Sequence, residues 1–86
     1  MKMDVQIGKV THYYDKIAVA VVSVMNQPLK VGDTVKISGH DNEFTQKIGS
    51  LQIEHKQVME IPVGETCGMK VDSAVKPGDV LYLVGA

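Results

Sequence analysis

The sequence predicts an all-β protein, a small closed or nearly closed antiparallel β-barrel of about seven strands. Three observations predict it. Valine and isoleucine recur in short runs of period two, bounded by glycine, proline and aspartate. No window of helical length keeps an apolar stripe at i, i+3, i+4 and i+7. One turn pattern, a glycine followed by an acid that leads into a strand, occurs three times.

The elements follow in chain order. Val5 and Ile7 share a face, and the next apolar residue is Val10, with Gly8 in the gap where a bulge can reset the alternation. Ile17 to Val24 is apolar on both faces except at Ser23, as expected of a central strand covered on both sides. Val35 and Ile37 point one way while Thr34, Lys36 and Ser38 point the other, so this strand is half-buried and ends at Gly39. The polar loop His40-Asp41-Asn42-Glu43 follows. Phe44 and Ile48 share a face, and after Gly49 the apolar phase shifts to Leu51 and Ile53, a second bulge that bends the strand as barrel closure requires. Met59-Glu60-Ile61 is a short piece stopped by Pro62, Cys67, Met69 and Val71 alternate with Gly68 and Lys70, and Val80 to Val84 supplies the last strand.

The repeated turn reads Leu29-Lys30-Val31-Gly32-Asp33-Thr34-Val35, Ile61-Pro62-Val63-Gly64-Glu65-Thr66-Cys67 and Val75-Lys76-Pro77-Gly78-Asp79-Val80-Leu81. The glycine takes the positive φ of a tight turn, and the carboxylate after it accepts turn N–H groups. These acids are read as scaffold.

Eighty-six residues suffice for one hydrophobic core and not two, so residues 1–86 are expected to form a single domain. Hydrophobic residues at 44% and charged residues at 22% exclude the composition of a disordered chain. All nine basic residues are lysine and ten carboxylates offset them, so no strong positive field draws in a polyanion. The single cysteine, Cys67, cannot form an internal disulfide and suits a reducing compartment. The start lacks the apolar core of a signal peptide, and the apolar run from Ile17 to Val24 is far below the ~20 residues that span a bilayer. A cytoplasmic location without membrane contact is expected.

Catalytic machinery is not visible. The phosphate-binding loop G-x-x-x-x-G-K-[ST] and the dinucleotide fingerprint G-x-G-x-x-G are both absent, so no nucleotide chemistry and no cofactor is expected. His12, His40, His55 and Cys67 show no short ligand spacing, which leaves no predicted metal site. Cys67 lies on the apolar phase of its strand, where a thiol behaves as a small hydrophobe. A non-enzymatic binding module is the expected class. Tyr13, Tyr14 and Tyr82 could stack on bases or fill core and rim. In the polar run Gln52-Ile53-Glu54-His55-Lys56-Gln57, the amide, imidazole and ammonium groups of Gln52, His55 and Lys56 could donate to a ribose, a phosphate or a peptide carbonyl, and they form the predicted binding site.

Three segments in order carry a family resemblance over nearly the whole chain: Leu29 to Ile37, Ser50 to His55, and Val63 to Val71 followed by Lys76 to Leu81. Together they resemble the β-barrel second domain of translational GTPases of the elongation factor Tu and initiation factor type. The resemblance implies a barrel that touches the 3′ end of transfer RNA or ribosomal RNA, with Gln52 and His55 where those elongation factors usually carry an acid and an arginine. A similar barrel stands at the C-terminus of some U32-family peptidases as an accessory module, so the alternative is a protein-docking module whose partner supplies the catalysis. A basic face gathering Lys47 and Lys56 would favour RNA. An exposed apolar patch would favour a protein partner.

Overall fold

The computed structural model describes residues 5–39 and 43–84. Of the loop predicted at His40 to Glu43, residues 40–42 lie outside the described residues, and Glu43 begins a strand instead of belonging to the loop. Ten strands occur in chain order: β1 (Val5–Tyr14), β2 (Val19–Val24), β3 (Leu29–Lys30), β4 (Thr34–Ser38), β5 (Glu43–Lys47), β6 (Leu51–Ile53), β7 (Lys56–Val58), β8 (Glu60–Ile61), β9 (Thr66–Lys70) and β10 (Val80–Leu83). Every pairing is antiparallel. The described residues contain no helix, hence none long and apolar enough to cross a membrane.

The main sheet runs β5-β4-β10-β1-β2-β9-β6-β7, and β3 pairs with β8 apart from it. It closes because β5 and β6 are two halves of one bent segment. Residues 43–47 pair with β4 and residues 51–53 pair with β7 and β9, so the chain leaves one side of the ring and joins the other at Ile48-Gly49-Ser50. The predicted bend at Gly49 is therefore the closure. Gln46 spans the remaining seam: its amide donates to the Lys70 carbonyl at 2.9 Å and its Oε1 accepts from the Asp72 N–H at 2.7 Å. A side chain thus replaces two ladder bonds, and this otherwise costly buried polar group is satisfied.

Alternation buries one face of each strand. Ile7 and Val10 of β1, Ala20, Val22 and Val24 of β2, Val35 and Ile37 of β4, Leu51, Cys67, Met69 and Leu81 form the core with Leu29, Ile48, Ile61, Val71 and Val75. The predicted bulge in β1 is present, since its register against β10 shifts between Gln6 and Gly8. Gly8 is needed there for space, because a Cβ would stand 2.6 Å from Val22 Cγ1.

The three Gly-acid turns share one geometry. Gly32, Gly64 and Gly78 have φ of 97°, 93° and 98°, and the following acid's N–H donates to the carbonyl three residues back, as in a type II turn. The Asp33 carboxylate accepts from Lys30 N–H at 3.1 Å and that of Asp79 from Lys76 N–H at 2.9 Å. Each turn also clamps a strand by two reciprocal bonds. Gly78 and Asp79 hold Val10, Gly64 and Glu65 hold Val24, and Gly32 and Asp33 hold Ile48, all at 2.8–2.9 Å.

The central strand departs from its predicted surroundings. Its inward residues Ala20, Val22 and Val24 are buried as expected, but among the described residues no second layer covers the outside, and Val19 and Val21 are only half-buried. Ile17, expected inside that strand, sits in the β1–β2 turn and is 58% exposed. Burying it would require extending β2 through Ala18, whose φ of 55° breaks the strand and whose carbonyl is held by Val71 N–H at 2.9 Å.

Candidate functional site

Register brings the outward residues of five strands into one row: His12 of β1, Val21 of β2, Gly68 of β9, Gln52 of β6 and Gln57 of β7. The neighbouring row places Tyr14 beside Val19 and Val19 beside Lys70. Where the two rows meet the hairpin ends, a groove of about 280 Å³ opens, lined by Tyr14, Ile17, Val19, Val21, Gln52, Glu54, His55 and Gly68. Val19 and Val21 form an apolar floor that dips at Gly68, which has no side chain. One wall is the β1–β2 connection, with Tyr14 half exposed and stacked near His12, the ring centroids 6.4 Å apart and the planes at 25°. The other wall is the tip of the β6–β7 hairpin.

That tip is conformationally costly. Ile53 pairs with Lys56, so Glu54 and His55 are the two central residues of the turn, and their φ values are 51° and 67°. Two left-handed residues define a type I′ turn, which favours Asn-Gly and penalises side chains bearing Cβ. Ala18 on the opposite wall is left-handed too. Three of the four left-handed non-glycine residues described therefore flank this groove. The fourth, Asn26, is of a residue type that tolerates this conformation, and its amide donates to the Gln6 carbonyl at 2.6 Å.

Gln52 and His55 of the predicted site thus line one groove. Lys56 does not join them. It lies opposite Ile53, which packs on the core, and so shares the inward side of the ribbon, whereas Gln52 and Gln57 share the outward side. Lys47, on β5, and Lys56, on β7, stand on the two end strands of the sheet order and form no common ladder. The residues the sequence reading missed include Ile17, Val19, Val21 and Gly68. The signal of the three apolar ones was present in the doubly apolar run Ile17 to Val24, but it was assigned to a covered core.

A second hollow, of about 300 Å³, lies at the base of the same ribbon beside Met59, which is 73% exposed. It carries no left-handed residues. Among the described residues no three His, Cys, Asp or Glu side chains gather to hold a metal. Cys67 is buried, and desolvation pushes its thiol from 9.0 to about 11.

No protein-family model matches the chain. An uncharacterized protease of Methanocaldococcus jannaschii is 36% identical over 81 residues, which is 93% of this chain and 20% of the relative. The chain thus spans about a fifth of that relative's length. Two solved structures of the C-terminal domain of a Geobacillus thermoleovorans protein classed as a U32 peptidase share the fold. One has a TM-score of 0.85 at 20% identity, covering 99% of both chains. The other, its selenomethionine variant, has a TM-score of 0.83 at 21% identity, covering 90% of this chain and 96% of that domain. At 20–21% identity these two structures show the fold alone, and neither they nor the archaeal relative supports the resemblance to translational GTPases.

Proposed function

We propose that this chain is a non-catalytic docking module that serves a peptidase whose catalytic residues lie elsewhere. The observation that carries the reading is the match itself: nearly all of this chain corresponds to a fifth of a protease, so most of that relative lies outside the match. The likeness to an isolated C-terminal peptidase domain supports it. So does the chemistry of the surface, where Gln52 and His55 border an apolar groove whose lining includes no lysine. A phosphate-rich partner has little to hold there, whereas exposed apolar side chains are what a protein partner covers. Cys67, buried and held protonated, is poorly suited to act as a nucleophile.

Capture with the tagged chain from the lysate of its native cell, with and without ribonuclease, tests the reading once the captured chains are identified by mass spectrometry. Recovery of a peptidase that survives ribonuclease is expected. Recovery that depends on intact RNA would overturn it in favour of the translation-factor role.

A further inference from the structure

We propose, building on the docking reading, that the groove between the β1–β2 and β6–β7 hairpins receives one bulky apolar side chain of a short peptide segment, with a basic residue beside it. Size selects the occupant first. Eight residues line the groove, far short of the roughly 20–30 per side of a stable interface between folded proteins. A second copy of the chain or a folded surface would leave this site a minor part of its contact. The volume, about 280 Å³, is at the low end of pockets that hold whole small ligands, and suits a single side chain.

Chemistry selects next. Val19, Val21, Ile17 and the Tyr14 ring provide apolar contact, while the Gln52 amide can meet a peptide carbonyl or N–H at the rim. Glu54 is the only formally charged residue in the lining, so the complementary neighbour is a cation. The backbone adds an independent sign. Glu54, His55 and Ala18 hold left-handed conformations on both walls, and strain in non-glycine residues gathers at binding sites more than in inert loops.

The test is an amide NMR titration of the whole ¹⁵N-labelled chain with the capped peptide Ala-Ala-Phe-Lys-Ala-Ala. The amides of Val19, Val21, Gln52 and Gly68 are expected to shift. Replacing the peptide's Phe by Ala should weaken binding about 10- to 100-fold, the worth of burying one large apolar side chain. Replacing its Lys by Glu should weaken it a few-fold, and Glu54→Gln in the protein should erase that difference. A Tyr14→Ala/Ile17→Ser variant, altered only at exposed positions, should lose the response with the rest of its spectrum intact, and Met59→Ala should keep it.

Equal binding of the Phe and Ala peptides, shifts centred on Met59, or stronger shifts of the groove amides by a CCA-ended RNA would each overturn the proposal. Capture separates the two levels. If the Tyr14→Ala/Ile17→Ser variant recovers the peptidase as well as the wild type does, the groove assignment fails and the docking reading stands. If neither recovers it, the docking reading fails.

Discussion

Gln46 shows how much one side chain can carry in a barrel this small. Its amide stands in for a missing rung between β5 and the end of β9, so Gln46→Ala would leave the Lys70 carbonyl and the Asp72 N–H without partners. A loss of about 1–3 kcal/mol is expected, the cost of orphaning two part-buried backbone groups, read as a lower urea midpoint. Gln46→Glu keeps the acceptor for Asp72 N–H but sets a second oxygen against the Lys70 carbonyl and buries a charge, so at neutral pH it should destabilise at least as much as Gln46→Ala. Cys67 makes a different prediction, in pH. Its folded thiol keeps its proton to about pH 11, whereas an unfolded thiol loses it near 9.0. The folded state therefore holds more protons between those values, and stability must fall as pH rises through the window, by about 2–3 kcal/mol in total. Below pH 9 the group contributes no slope. Tyrosine and lysine titrate nearby, so the measurement is the difference between wild type and Cys67→Ala in urea unfolding at pH 8 and pH 11. A wild type that loses no more stability than the variant would show that Cys67 is not desolvated.

The turns divide into those the residues announce and one they disguise. Gly32, Gly64 and Gly78 were legible because a glycine before an acid has a direct backbone meaning, and all three are left-handed. Gly78→Val should cost about 1–3 kcal/mol in thermal or chemical unfolding, since a β-branched residue is strained at φ near +98°. An unchanged midpoint would contradict that geometry. The β6–β7 turn was read as part of a polar run holding the predicted binding site and not as a turn, because Glu54-His55 lacks the Asn-Gly signature that such a turn favours. Replacing the pair by Asn-Gly should stabilise the domain by about 1–2 kcal/mol, relieving two left-handed residues with Cβ atoms. Strands β3 and β7 escaped notice for another reason. At two and three residues they are too short for a period to show. Ile17 and the outer face of β2 were legible as apolar but not as exposed, because periodicity reports which residues share a face and not whether anything covers it.

Closure was legible as a bend at Gly49, but its mechanism depends on residues far apart in the chain. Gln46 meets Lys70 and Asp72 only once the ring has formed, and no local pattern marks it. This arrangement makes the seam the weak point of the molecule. Strand β2 is paired on both sides along nearly its whole length, to β1 and to β9, and β1 is held first by β10 over Val5–Lys9 and then by β2 over Gly8–Tyr14. By contrast β6 holds β9 through two residue pairs, Leu51 with Met69 and Gln52 with Gly68, and β7 is paired on one side only. Opening by the smallest loss of contact should therefore begin between β6 and β9 and swing the β6–β7 ribbon outward, leaving the β10-β1-β2-β9 sheet intact. The same ribbon carries Gln52, Glu54 and His55, so the groove wall would belong to the least stable part of the barrel. Native-state hydrogen exchange can rank these steps. Amides of β6, β7 and Asp72 should exchange through a low-energy opening, while those of Val10, Val22 and Val24 exchange only with global unfolding. Gln46→Ala should hasten the first group far more than its effect on global stability explains. If all these amides instead share one opening energy in both proteins, the barrel opens as a whole and the seam has no separate existence.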